Sequence, residues 1–244
     1  MATINFTDTV GVDEAFRPTP ASFLIPDWYK NIESYIGGKK VPSGDGKTNS
    51  TIKKCMPVFD ALTSGYILYT YVDVFVSQKP NIDVETGIDL GGTIPYYEWP
   101  SYEPIGFHTN KQAQNYIKKN ASLENFSYPK WANPWSIKTP KGYSCLFTQP
   151  FHRESVFTIF EGVVDTDSYT PPVNFPFVLN DWKFEGLIPA GTPMAQVIPF
   201  KRDSWKMELG NAETLKEQDN KTRLLKIYFF DAYKNKFRQP KEYK

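Results

Sequence analysis

The fold is decided by one block: Trp135-Ser136-Ile137-Lys138, Tyr143-Ser144-Cys145-Leu146-Phe147-Thr148, Val156-Phe157-Thr158-Ile159-Phe160-Glu161-Gly162-Val163-Val164, Val173-Asn174-Phe175-Pro176-Phe177-Val178-Leu179 and Met194-Ala195-Gln196-Val197-Ile198-Pro199-Phe200. These five runs are rich in β-branched and aromatic residues, which suit a pleated, half-buried surface. Turn markers separate some of them: Pro140-Lys141-Gly142, Pro171-Pro172 and Pro189-Ala190-Gly191. Short strands at this spacing predict a mainly β protein with an antiparallel sandwich-like or barrel-like body.

Outward from that block the pattern changes in both directions. The run from Tyr66 to Val76 carries no proline and reads as a strand, with a bend near Tyr71. Ser64-Gly65 before it marks a turn. Residues 78–104 are turn-rich, with Gly91-Gly92 and Pro95, and suit a hairpin; residues 111–119 suit a brief helix. Residues 1–50 read as an irregular arm, with Asp27 capping a short helix that carries Trp28, Ile32 and Tyr35 on one side and whose aromatics anchor the arm. Residues 212–236 lack glycine and proline and alternate apolar residues with charges, the pattern of an amphipathic helix, or of two broken near Asp219-Asn220. The expected organisation is therefore an arm over 1–50, a β-rich core over 51–210 and a C-terminal helix over 211–244.

Composition removes several classes. The chain has 244 residues, a formal net charge of +1, two cysteines and two histidines. No run of eighteen apolar residues predicts a membrane span. The segment Met1-Ala2-Thr3-Ile4-Asn5-Phe6 lacks the basic-then-apolar pattern of a secretory signal, so a location inside the cell or in a particle is expected. For the same reason the five N-x-S/T triplets, at Asn5, Asn49, Asn120, Asn125 and Asn220, are read as chance. Cys55 and Cys145 cannot make a disulfide framework or a four-cysteine zinc site. Near-neutral charge argues against a nucleic-acid partner. With 40% hydrophobic and 16% aromatic residues, the chain can bury a sizeable core.

Catalytic patterns are sparse. His108 and His152 lack metal-ligand spacing, so neither a metal nor a cofactor is expected. Cys145 lies within an apolar strand and reads as an inert thiol. Ser155 stands near His152, but no Gly-x-Ser-x-Gly elbow is present. The aromatic groups Tyr96, Tyr97, Trp99, Tyr102 and Tyr128, Trp131, Trp135 are better read as core or interface than as a stacking platform.

One pairing of segments says more. Glu161-Gly162-Val163-Val164-Asp165-Thr166-Asp167-Ser168-Tyr169 is followed, 29 residues after Gly162, by Gly191-Thr192-Pro193-Met194-Ala195-Gln196-Val197-Ile198. Asp165 ends an apolar strand, where a carboxylate can orient a water or bind a sugar hydroxyl. Tyr169 can stack on a sugar or base. Gln196 is a polar side chain within an apolar strand and needs a hydrogen-bond partner if buried. These segments resemble the paired signature of the dUTPase and dCTP-deaminase group. The resemblance implies a β-clip fold that commonly forms a homo-oligomer, a trimer, with sites between subunits. It implies that Asp165 activates water and Tyr169 discriminates deoxyribose. Arg153 is the candidate for an anion contact, and Gln196 joins the candidate ligand-binding set.

The family's Pro-Arg-Ser motif is missing: Gln149-Pro150-Phe151-His152-Arg153-Glu154-Ser155 differs in order and lies too near Asp165. Pro171-Pro172 stands where a glycine is expected, and the glycine-rich tail is replaced by the helix pattern. The reading is a clip that binds a nucleotide or other small molecule without the full hydrolase machinery. A second resemblance rests on Lys54-Cys55-Met56-Pro57, Ser64-Gly65-Tyr66, 135–143 and Gly191-Thr192-Pro193. These are similar to an uncharacterised family of bacteria and tailed phages. That implies a phage-type protein in the host cytoplasm or the virion, with a structural or assembly role as the alternative to ligand binding.

Overall fold

The computed structural model describes residues 2–41, 49–83, 85–100, 103–108, 128–227 and 231–244, without the side chains of 221, 222 and 224–227. The described elements run β1 (Asn5–Asp8), β2 (Thr19–Pro20), α1 (Asp27–Asn31), α2 (Met56–Thr63), β3 (Tyr66–Tyr69), β4 (Val74–Ile82), β5 (Asp89–Glu98), β6 (Ile105–His108) and β7 (Tyr128–Trp131). They continue with β8 (Trp135–Lys138), β9 (Tyr143–Thr148), β10 (Phe157–Ile159), β11 (Gly162–Val164), β12 (Phe175–Leu179), β13 (Gly186–Ile188), β14 (Pro193–Lys201) and α3 (Ala212–Ile227). The protein is mainly antiparallel β, with four sheets among the described residues: β1-β8, β10-β12-β7-β6, β11-β9-β14-β3-β2 and β13-β4-β5.

The chain divides into two compact units, residues 1–19 with 65–201, and residues 20–64 with 202–244. The first holds the sheets' common core. Trp131 stacks on Phe177 with ring centroids 4.9 Å apart, and Phe157 leans on both at 5.1 and 5.4 Å. Around them Val76, Ile105, Phe147, Phe175, Ile188, Met194 and Val197 are fully buried. Alternation explains the arrangement: β12 buries Phe175, Phe177 and Leu179 and turns Pro176 and Val178 outward. Truncating Trp131 to alanine removes a side chain of this size from a close-packed centre, a change that costs about 3–5 kcal/mol.

Two glycines are required by close approach. Gly65, with φ of +70°, precedes β3, and a Cβ there would lie 1.9 Å from the Val197 carbonyl oxygen. Gly191, with φ of +84°, sits in the turn before β14, where a Cβ would meet the Phe16 ring at 3.2 Å. Thr70 fixes that turn: its N–H donates to the Thr192 oxygen, its oxygen accepts from Gly191 N–H, and its hydroxyl donates to the Pro189 oxygen.

β8 and β9 coincide with the runs expected at 135–138 and 143–148. The run 156–164 is two strands, because the chain turns at Phe160-Glu161. β10 pairs with β12 and β11 pairs with β9, in different sheets. The run 66–76 is likewise β3 and β4, broken at 70–73, where Thr70 leaves the ladder to hold the 189–192 turn. The hairpin expected in 78–104 is β4–β5, but it turns at 83–88, and Gly91-Gly92 lie inside β5. The helix expected at 111–119 lies outside the described residues.

In the second unit α1 is shorter than expected. Pro26 is its N-cap and Asp27 its first residue, ion-paired with Lys30 at 3.0 Å, so Asp27 supplies first-turn charge rather than a cap. Tyr29, not Trp28, is the anchor: it is buried, donates from its hydroxyl to the Lys53 oxygen, and lies against Phe59. α2 has proline in its first turn, where a missing N–H costs nothing. Its Asp60 receives Arg238 through Nε and Nη2, at 3.0 and 2.7 Å, and Lys241 at 2.9 Å. α3 is capped by Asn211, whose Oδ1 accepts from the N–H of Glu213 and Thr214, and it runs without a break through Asp219-Asn220. Leu215 on α3 is exposed. No helix among the described residues is long and apolar enough to cross a membrane.

Candidate functional site

Asp165 directly follows β11. β11 pairs with β9 so that Val164 stands opposite Cys145, which places Ser144 beside the next residue. Ser144 is fully buried and its Oγ donates to Asp165 Oδ1 at 2.7 Å. The Asp165 main-chain oxygen accepts from the N–H of Ser168 and of Tyr169, at 3.1 and 2.9 Å. The chain thus wraps once around that carbonyl and returns Tyr169, 48% exposed, four residues after an exposed carboxylate.

The turn is tied down from behind. Thr166 is buried, shares a 2.8 Å hydroxyl contact with Thr139, and donates to the Cys145 sulfur. Its main-chain oxygen accepts from Thr139 N–H. Asp167 Oδ2 accepts from Gly142 N–H at 2.8 Å, gripping the β8–β9 turn. The result is a rigid platform that presents one hydrogen-bond-accepting carboxylate and one aromatic ring to solvent. Such a pair can take a hydroxyl and the face of a ring from one ligand.

Gln196 lies at the far end of the same sheet. It pairs across from Thr148 on β9, whereas Phe200, four residues on, pairs across from Ser144. Four strand residues span about 13 Å. Gln196 is fully buried, and its Oε1 accepts from Phe151 N–H at 3.0 Å. It thereby holds the turn that leads through His152, with φ of +53°, to Arg153. Burial lowers the Arg153 guanidinium from its ordinary value, and Tyr69 nearby opposes that shift. Two neighbours support the same end: Gln149 Oε1 accepts from Ile159 N–H, and Thr148 donates to Glu161 Oε1 at 2.6 Å.

The structure therefore brings Asp165 together with Tyr169, and Gln196 together with the Arg153 turn, but places the two pairs at opposite ends of β9. Sequence reasoning missed Ser144, Thr139, Thr166 and Asp167, which fix the platform. The signal available was Ser144 itself, a hydroxyl inside the apolar run Tyr143-Ser144-Cys145-Leu146-Phe147.

Burial pushes the Cys145 thiol up to about 11, with Thr166 opposing the shift. Of the aromatic groups, Tyr97, Tyr128, Trp131 and Trp135 are buried, Trp99 packs on the core and Tyr96 is exposed; Tyr102 lies outside the described residues. Among the described residues no three of His, Cys, Asp and Glu stand close enough to hold a metal ion.

No family model matches the chain, and no curated protein matches it. Among solved structures the chain is similar to a mutant dUTPase from phage phi11 of S. aureus, described for its structural Mg(II) ion. Identity is 14%, the match covers 62% of this chain and 83% of that one, and the TM-score is 0.30.

Proposed function

We propose that this is a phage-type protein with a dUTPase-like β-clip core that binds a nucleotide or another small molecule through the Asp165–Tyr169 turn, without full hydrolase machinery. One observation carries the reading: a solvent-facing carboxylate is oriented by a buried hydroxyl, Ser144 on Asp165 at 2.7 Å, with an exposed tyrosine held four residues away. The resemblance of 161–169 and 191–198 to the dUTPase group supports it. In this reading Asp165 orients a ligand hydroxyl or a water, Tyr169 stacks on the sugar or base, Arg153 contacts an anionic group, and Gln196 positions the Arg153 turn.

Acid–base hydrolysis needs several groups at fixed geometry, and one oriented carboxylate is too few, so a binding protein is favoured over an enzyme. The chain is read as a homo-oligomer, in which the Asp165 end of one copy can meet the Arg153 end of the next. The test is thermal unfolding of the protein and of Asp165→Ala with a panel of deoxynucleotides at millimolar concentration. A ligand present at a hundred times its Kd adds about 2.7 kcal/mol, readable as a rise of several degrees in Tm. A rise in the parent that vanishes in the variant supports the reading; no rise with any nucleotide overturns it.

A second reading, a non-enzymatic phage structural or assembly protein, is favoured by the exposed run Trp205, Met207 and Leu209. Mass spectrometry of purified particles tests it: presence at stoichiometric amount supports it, and absence contradicts it.

A further inference from the structure

The arc from Thr166 to Thr170 is pinned to β8 at two points. Thr139, just past the strand, donates its N–H to the Thr166 oxygen, and the Ser136 hydroxyl donates to the Thr170 oxygen. Lys138 lies between these two pins. β8 buries Trp135 and Ile137, so Ser136 and Lys138 leave the strand on its other side. Ser136 meets Thr170 on that side. Lys138 therefore shares the side of β8 that carries the arc, two residues or about 7 Å along the strand from the pin beside Tyr169.

The surface around Lys138 is polar. Register sets Asn5 of β1 opposite Lys138 and Thr7 opposite Ser136, and directly opposed residues share a sheet face. Asn5, Thr7, Ser136 and Lys138 thus make one polar face with a single cation. The acid on β1, Asp8, stands opposite Trp135, and its carboxylate accepts from the N–H of Val10, Gly11 and Val12. Asp167 in the arc accepts from Gly142 N–H. Lys138 is exposed and forms no ion pair among the described residues. A paired lysine must surrender its carboxylate to take a ligand anion; Lys138 has none to surrender.

Arg153 is placed differently. Its turn is held by Gln196, four strand residues or about 13 Å along the sheet from the level of Ser144 and Asp165. Within one copy, an anionic group on a ligand seated at Tyr169 needs a nearer cation.

We infer that Lys138 is the anion contact of the Asp165–Tyr169 site within a single copy. A ligand with its ring on Tyr169 and a hydroxyl on Asp165 sets a phosphate on Lys138, over the polar face of β1 and β8. The favoured ligand class is then a phosphorylated small molecule, and the neutral nucleoside binds more weakly. The nucleotide part of this rests on the reading above; the anion contact rests on β8 and the arc.

The test is amide NMR titration of the full chain with inorganic phosphate, and with a panel of deoxyribonucleosides and their 5′-monophosphates, for the parent, Lys138→Gln and Lys138→Arg. Lys138 is exposed, and circular dichroism checks that each variant is folded. Phosphate is expected to move the amides of 136–141 and 169–170 saturably in the parent. Lys138→Gln should weaken it about fivefold, the size of one exposed charge contact, and Lys138→Arg should restore it. The gain of each monophosphate over its nucleoside should vanish in Lys138→Gln and shrink with added salt in the parent. Phosphate that leaves those amides unmoved, or binds Lys138→Gln as it binds the parent, overturns the anion contact. Nucleotides that bind at 165–169 equally in parent and Lys138→Gln overturn this inference alone. Lys138-dependent phosphate binding, with no nucleoside or nucleotide moving 165–169, upholds the anion contact and overturns the nucleotide reading.

Discussion

Ser144 Oγ donates to Asp165 Oδ1 at 2.7 Å from a fully buried position, so the orientation of the exposed carboxylate is set from inside the sheet. Ser144→Ala removes that donor and leaves the turn's main-chain bonds in place. Expected is a loss of about 1 kcal/mol in stability, the size of one hydrogen bond, with weaker ligand-induced stabilisation. Urea unfolding gives the first number, and thermal unfolding with deoxynucleotide gives the second.

Gln196 makes a different prediction, because its role is internal. Gln196→Leu leaves Phe151 N–H without its acceptor. An abandoned buried donor costs about 1–3 kcal/mol. Urea unfolding of the variant should show a loss in that range, and an unchanged midpoint would remove Gln196 from the account of the 151–153 turn.

The two thiols should separate cleanly. Cys55 is exposed, whereas Cys145 is buried with its thiol pushed up to about 11. The thiolate is the reactive form. At pH 8 a thiol reagent should titrate one cysteine in the native protein and both in denaturant. Fast native reaction of two would show that β9 is open.

Acid should weaken the second unit through Asp60. Burial opposes its ionisation, but the hydrogen bonds and charges of Arg238 and Lys241 prevail, and its carboxyl titrates below the ordinary value. A carboxyl with a lowered folded pKa stabilises the fold above the unfolded value, about 3.9, and loses that contribution as pH falls through the folded value. Thermal unfolding should therefore be steady from pH 7 to about 5 and decline below about 4. Asp60→Asn should lower the Tm at pH 7 and flatten the acid decline. A variant that declines as steeply as the parent would place the acid sensitivity elsewhere.

Much of the β unit is legible locally, and the misses share a cause. β8 and β9 stand out because they are rich in aromatic and other apolar residues and the turn marker Pro140-Lys141-Gly142 lies between them. The run 156–164 looks continuous, yet Phe160 N–H bonds to the Pro176 oxygen while Val163 pairs across from Leu146, so partners far along the chain split it. β7 is hidden because Pro129 interrupts an aromatic run, although Tyr128 and Trp131 are buried within a sheet. Asp60 and Arg238 meet across 178 positions, which no local pattern announces. At the candidate site the carboxylate and the tyrosine are visible as a short motif. Thr139 and Asp167, which hold the turn to the β8–β9 hairpin, act through register, and register depends on the folded sheet.

The central claim is that the Asp165–Tyr169 turn is a ligand platform, and amide NMR mapping tests it most directly. The protein is titrated with deoxyribonucleoside mono- and triphosphates while the backbone amides are followed. The account predicts saturable shifts concentrated at 165–169 and at Ser144, abolished in Asp165→Asn while the rest of the spectrum is retained. A titration that leaves those amides unmoved, or that moves them equally in Asp165→Asn, contradicts it.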